Sequence, residues 1–406
     1  MLLIVVVLHN ISNIMKSREL LLASISFFLL STAFAQDITN NKFGKGISVI
    51  ARDSSFSVKF GFRFQTLYQI ATPLNSDDFE DNMQIRRSRL KFDGFVYDPS
   101  FEYKVELAIA NSDINGGAIP QSGRTSNIVL DAYIKWNFYQ DWSLWFGQAK
   151  LPGNRERVVS SQALQFVDRS NVNSRFNLDR DIGLQLHYAK TKFKFVYAMS
   201  TGEGRNITAP NAGGYDYTFR IEYLPLGAFT DKGDYFLSDL KREKTPKLSI
   251  GVTFDHNDRA TRERGQLGSF INPEITNRQR DLTTFIADAH FKYKGFSSLI
   301  EYAHRTTPDS PVVYNDEGDI EQVFYTGDGI NIQAGYLLQN NLEIAGRYTL
   351  VTPEKTTGYN NETQYTLGLS RYFVGHSLKV QTDVSLLQEA NEEDQLMYRL
   401  QLEVAF

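Results

Sequence analysis

The chain contains a series of segments in which apolar and polar residues alternate, the pattern of a β-strand with one dry and one wet face. Residues 398–406 (YRLQLEVAF) alternate strictly and end on an aromatic residue, and residues 58–70 show the same order. About sixteen segments of this kind occur, each long enough for a tilted strand to cross the apolar layer of a membrane. A wall between lipid and water must be apolar outside and polar inside, so the pattern predicts an all-β fold, a transmembrane antiparallel β-barrel.

The lengths of the links between these segments alternate between short and long. Links such as 97–99 and 139–141 are short, whereas links such as 111–126 and 151–180 are long. Bacterial barrels combine short periplasmic turns with long external loops, so this rhythm supports the barrel. The link at 225–245 breaks the rhythm because it is long and charged where a short periplasmic turn is expected. It is either a missed hairpin or an ordered periplasmic excursion.

The N-terminal region carries the features of an export signal. A basic start after Met15, an apolar run over 20–30 and the small residues before Gln36 match a secretory signal peptide over 1–35, with translation starting at Met15 as an alternative to Met1. Neither this run nor the earlier apolar stretch over 2–8 reaches the roughly 20 residues that a membrane helix needs. We therefore expect a polar N-terminal lead over 36–57, a barrel over 58–406, and a location in the bacterial outer membrane.

Composition and motifs argue against several other classes of protein. The chain has no cysteine, which excludes disulfides and thiolate chemistry, and its formal charge of −4 gives no indication of a nucleic-acid partner. The six histidines are scattered, and neither a G-x-S-x-G nor an H-E-x-x-H motif occurs. We expect no cofactor, no metal site and no enzymatic activity. An outer-membrane hydrolase and a plugged structural or adhesive barrel remain the alternatives, because a serine and a histidine can meet across strands.

A barrel of this width encloses an aqueous channel, so function depends on the residues that line it. In the segment IRRSRLKFDG, Leu90 and Phe92 must face lipid, which turns Arg87, Arg89 and Lys91 toward the lumen. The same alternation places four further cations on the inner wall: Lys59, Arg63, Lys104 and Lys135. These cations either attract anions along the channel or pair with neighbouring carboxylates and only hydrate the lumen.

The loop over 151–180 combines cations with apolar residues, which predicts that it folds inward and narrows the pore. An ordinary external loop with paired charges is the alternative interpretation. Its candidate constriction residues are Arg155, Arg157, Arg169 and Arg180.

Four motifs occur in one order: IRRSRLKFDG, W-x-x-W-F-G-Q-A-K-L-P (142–152), S-S-x-x-L-x-F-V-D-R-S (160–170) and R-D-I-G-L (180–184). In this the chain resembles the phosphate-selective porin O and P family, most clearly over 44–190. The resemblance implies a sixteen-stranded porin, typically a homotrimer, with an inward-folded third loop and an arginine-lined route for anions. The long loops here hold almost no lysine, which weakens strict phosphate selectivity. We therefore expect passive diffusion of small hydrophilic solutes with a weak preference for anions such as phosphate.

Overall fold

The computed structural model describes residues 38–39, 42–74, 79–114, 127–271 and 278–406. The predicted signal peptide over 1–35 lies outside the described residues. The strands, in chain order, are β1 (Ile38–Thr39), β2 (Ile47–Ile50), β3 (Ser57–Pro73), β4 (Glu80–Val96), β5 (Asp98–Ala108), β6 (Val129–Tyr139), β7 (Trp142–Lys150), β8 (Arg180–Lys190), β9 (Phe193–Ser200), β10 (Asp216–Tyr223), β11 (Lys247–Ala260), β12 (Arg280–Tyr293), β13 (Phe296–Thr306), β14 (Val312–Tyr314), β15 (Ile320–Val323), β16 (Gly327–Leu337), β17 (Leu342–Pro353), β18 (Glu362–Val374), β19 (Leu378–Glu389) and β20 (Gln395–Ala405). The helices are α1 (Asn111–Ile114), α2 (Arg155–Val158) and α3 (Asn171–Phe176), with 3-10 turns at Ser161–Ala163, Thr230–Tyr235 and Lys355–Thr357.

Sixteen antiparallel strands, β3 to β13 and β16 to β20, form one closed barrel. Closure comes from β20, which pairs with β3 from Gln395 opposite Pro73 to Ala405 opposite Arg63. Exposed apolar side chains such as Phe146 and Leu367 cover the outer wall, which is the lipid-facing surface that the alternation predicts. The predicted sixteen-stranded barrel is confirmed. No helix among the described residues is long and apolar enough to cross a membrane.

The N-terminal lead extends the barrel wall at its periplasmic end. Strand β2 pairs with β1 and with the first residues of β3, Ser57 to Phe60, just below the point where the pairing of β20 ends. Gly46 adopts a φ of +73°, and a Cβ atom there would lie 2.4 Å from the Phe60 carbonyl oxygen. Glycine is therefore required for the lead to approach β3 this closely.

The link between β7 and β8, residues 151–180 and here called the inner loop, lies inside the barrel. Its residues Val172 and Phe176 pack against Ile286 and Val351 on the opposite inner wall. Helix α3 begins at Ser170, whose Oγ accepts a hydrogen bond of 3.2 Å from the Asn173 backbone N–H. The apolar residues of this segment thus bury themselves in the lumen, where a purely external loop would have no surface to cover.

The link between β10 and β11, residues 224–246 and here called the periplasmic insert, also enters the barrel. It forms no barrel strand, so the break in the loop rhythm is an ordered excursion and not a missed hairpin. Its Leu237 donates a backbone hydrogen bond of 3.0 Å to the Ala163 carbonyl of the inner loop and packs with Val159, Leu164 and Leu299. The two segments therefore meet inside the lumen, one from each end of the barrel.

Candidate functional site

Arg155 ties the inner loop to the barrel wall. Its guanidinium is fully buried and lies 3.1 Å from Asp288 and 3.1 Å from Glu222. Arg220 reaches the same two carboxylates at 2.7 and 2.8 Å, so two arginines balance two acids. The structure thus places Arg155 in a buried anchor instead of on the pore surface that the sequence predicted.

Replacing Arg155 by alanine is expected to loosen the inner loop. The change leaves two buried carboxylates against one arginine, which costs about 3 kcal/mol of docking free energy. Protease cleavage within 151–180 should therefore become faster in folded, detergent-solubilised protein. The matched control is Arg175→Ala, which removes a more exposed ion pair to Glu362 in the same loop. Equal cleavage rates in both variants would contradict the anchoring role.

A second anchor joins the inner loop to β4 through Asp168. Its carboxylate lies 2.9 Å from Arg87 and 2.7 Å from Arg86. Burial alone would raise the pKa of Asp168, but these two arginines hold it well below its usual value. Strict alternation turns Arg86 toward lipid, so the sequence pattern does not predict this contact. A bulge opposite Gln65 and Thr66 leaves Arg86 unpaired and lets two successive arginines point inward.

Most of the predicted wall cations form ion pairs with neighbouring carboxylates. The pairs are Arg63 with Glu403 at 3.2 Å, Arg89 with Glu106 at 3.0 Å and with Asp113 at 2.5 Å, Lys104 with Glu106 at 2.9 Å and with Asp131, Lys135 with Glu102 at 3.1 Å, and Arg180 with Asp131 at 2.6 Å. Lys91 is half-exposed and lies 3.8 Å from Asp93, and Lys59 lines a small neighbouring cavity of about 150 Å³. The interpretation that wall charges largely neutralise one another therefore describes much of β3 to β8.

Positive charge remains in excess where the inner loop faces this wall. Arg169 donates to the carbonyls of Glu156 and Val159 at 2.8 and 2.9 Å, and Lys150 donates to that of Arg157 at 2.9 Å. Neither cation has a carboxylate partner within 4 Å among the described residues. Arg157 pairs with Asp179, yet further arginines surround it.

The pKa values of the loop arginines reflect burial first and the nearness of other arginines second. Burial and the nearby Arg87 lower the pKa of Arg169 to about 9, and burial with Arg169 and Arg180 holds that of Arg157 well below its usual value. Burial and Arg180 lower the pKa of Arg205, on the next external loop, to about 10. A guanidinium does not give up its proton in proteins, so these arginines stay charged although they are buried close to one another. Such a cluster favours an anion.

A cavity of about 570 Å³ lies between the inner loop and strands β4 to β10, on the periplasmic side of the arginine cluster. Six lysines from five strands and the periplasmic insert line this cavity, which we call the lysine vestibule: Lys91, Lys104, Lys135, Lys150, Lys194 and Lys232. Three of these lysines were not among the predicted pore-lining residues: Lys150, Lys194 and Lys232. Lys194 could have been found, because it alternates with Phe193 and Phe195 on β9. Lys232 could not, because it belongs to the periplasmic insert.

The histidines and acidic groups form no metal centre or triad in the described part of the chain. No group of three or more potential ligands lies together there. Three histidine rings form side-chain hydrogen bonds: His187 with Gln185, His256 with Thr283 and His304 with Asp328. None of these three rings is therefore paired with a serine, as a hydrolase triad would require. The Asp255 carboxylate, part of the polar run at the end of β11, accepts a hydrogen bond of 2.9 Å from the Thr218 hydroxyl.

Comparisons with known proteins agree with the fold and with the sequence motifs. The family model described as phosphate-selective porin O and P matches residues 58–237, which confirms the resemblance. An uncharacterized protein of Aquifex aeolicus is 24% identical over 300 residues, covering 68% of this chain and 67% of that one.

Two solved structures of similar fold are described as a porin and an outer membrane channel. An anion-selective porin from Comamonas acidovorans has a TM-score of 0.55 at 12% identity, covering 86% of this chain and 100% of that chain. The outer membrane channel DcaP of Acinetobacter baumannii has a TM-score of 0.53 at 12% identity, covering 88% and 99%. At these identities the likeness shows the fold, and together with the family match it supports an outer-membrane channel.

Proposed function

We propose that this outer-membrane channel, whose residues 58–237 match the family model of phosphate-selective porin O and P, lets small hydrophilic solutes diffuse passively. We further propose that it has a weak preference for anions such as phosphate. The observation that carries the preference is the cluster of Lys150, Arg157 and Arg169 beside the vestibule, in which Lys150 and Arg169 donate to backbone carbonyls and have no carboxylate within 4 Å among the described residues. Fixed cations lower the barrier for an anion to enter, and the hydrated lumen lets it leave.

The preference is weak because acidic groups share the same wall. Glu106, Asp131 and Asp168 neutralise five of the cations that approach the path, and the chain as a whole carries a formal charge of −4. We further propose a homotrimer in the outer-membrane lipid. A Vibrio cholerae outer membrane protein of similar fold, at a TM-score of 0.51, has been solved in a trimer form, which supports this assembly.

Conductance of purified, refolded protein in a planar bilayer tests the proposal. We expect stepwise opening, a reversal potential in a potassium chloride gradient that favours chloride, and a reduction of the chloride current by millimolar phosphate. Open channels without ion preference would support the proposed passive diffusion but contradict the proposed anion preference. Folded protein that never conducts would contradict both parts of the proposal.

A plugged barrel is the second candidate, because one observation favours it. The inner loop and the periplasmic insert are joined inside the lumen by the Leu237 to Ala163 hydrogen bond, so both segments obstruct the same half of the barrel. The vestibule on the other half argues for an open path. Silence in the bilayer experiment from protein of correct fold would favour the plug.

A further inference from the structure

Three aromatic rings form a continuous stack on the inner wall of the lysine vestibule. Trp145 on β7 lies between Tyr133 on β6, with ring centroids 4.5 Å apart, and His187 on β8, with centroids 4.1 Å apart. The interplanar angles are 12° and 16°. The indole N–H donates to the Ser143 hydroxyl at 3.1 Å, so the orientation of the central ring is fixed. The three rings therefore present a rigid aromatic surface to the cavity.

Apolar groups and cations lie around this stack. Val158 of the inner loop, Val196 of β9 and Tyr235 of the periplasmic insert line the same cavity. Lys135 and Lys194 border the stack at its periplasmic end and form ion pairs with Glu102 and Asp234. Lys150 and Lys232 line the same cavity without an ion pair to a carboxylate among the described residues, so their charge is available to a ligand. The volume of about 570 Å³ lies within the range of small-molecule sites, which typically combine apolar walls with a few placed charges.

We propose that the lysine vestibule is a binding subsite for organic anions that carry a ring, such as aromatic carboxylates. The edges of stacked rings carry partial positive charge and attract a carboxylate or the face of a second ring, and the lysines fix the charged end. The ring of the ligand contacts Val158 and Val196. This inference rests on the proposed function, since the ligand reaches the site by diffusion through the channel.

Block of the chloride current in planar bilayers tests the subsite, with 4-hydroxybenzoate and acetate added in turn to the periplasmic side. Both probes are monoanions and differ in the ring. We expect 4-hydroxybenzoate to block at a concentration at least tenfold lower than acetate, and Trp145→Leu to weaken that block about fivefold while leaving phosphate block unchanged.

The matched control is Trp142→Leu, because Trp142 lies three residues away on the outer face of the same strand, against Tyr188. We expect 4-hydroxybenzoate to block the chloride current of this variant at the same concentration as in the wild type. Equal block by both probes, or an equal loss in both variants, would overturn the subsite and leave the channel standing. Absence of any conductance would instead overturn the proposed function, so the two failures are distinguishable.

Discussion

Replacing Arg157 and Arg169 together by glutamine is expected to lower the permeability of the channel to chloride about tenfold. A unit charge roughly 6 Å from an ion in water interacts with it by about 0.7 kcal/mol, so loss of two such charges raises the anion barrier by about 1.4 kcal/mol. The cation barrier falls for the same reason. Reversal potentials in a potassium chloride gradient should therefore move from anion preference toward cation preference.

The matched control for this change is Arg175→Gln. Arg175 belongs to the same loop but pairs with Glu362 at 2.6 Å and lies over the Tyr325 ring, away from Arg157 and Arg169. Its loss should leave the reversal potential near the wild-type value. A double variant that keeps the wild-type selectivity would show that the arginine cluster does not border the ion path. Raising the salt concentration should weaken the preference of the wild type, because exposed charges are screened.

The barrel could be predicted from sequence because the membrane imposes a period of two on every strand. Lipid outside and water inside act on each residue separately, so Phe60 and Lys59 report their surroundings without any knowledge of distant contacts. The same rule identified most of the inner-wall cations. It failed at Arg86, where a bulge shifts the register by one residue.

The positions of the two segments inside the lumen could not be predicted from the alternation of apolar and polar residues. The pairing of Arg155 with Asp288 joins residues 133 positions apart, and no local pattern specifies it. The periplasmic insert is visible in the sequence only as an unusually long link. Its position in the lumen depends on side chains from distant strands. Lys292, for example, donates hydrogen bonds of 2.8 Å to the carbonyls of Gly233 and Ser238. The sequence therefore predicts the wall of the channel far better than the segments that narrow it.

Acidification of the periplasmic side is expected to release the insert and increase conductance. The buried ring of His376 stacks on Phe236 of the insert at 5.4 Å and meets Tyr372 edge-on, and neither ring nitrogen has a hydrogen-bond partner among the described residues. Burial, together with the charges of Lys379 and Lys292, holds the pKa of His376 well below its usual value. The docked insert thus requires a neutral histidine.

The sign of the effect follows from the two states of this ring. When the insert is released, the ring of His376 is exposed and has a pKa of about 6.5. Docking of the insert lowers this pKa. The docked state is therefore fully stable above pH 6.5 and becomes less stable as the pH falls below that value. Below pH 6.5 the released state binds a proton that the docked state excludes, so each further fall in pH shifts the equilibrium toward release until the docked ring is itself protonated. His290, buried against Phe229 at 5.8 Å and likewise without a partner in the described chain, contacts the insert at a second point.

The variant His376→Phe separates this mechanism from the titration of acidic groups in the lumen. Phenylalanine keeps the aromatic contacts with Phe236 and Tyr372 but binds no proton, so the docked insert no longer responds to pH through this position. Single-channel conductance measured from pH 7.5 to 4.5 should rise in the wild type and rise much less in His376→Phe, and least when His290→Phe is added. The same rise in all three proteins would assign the pH response to lumen carboxylates and leave the insert in place.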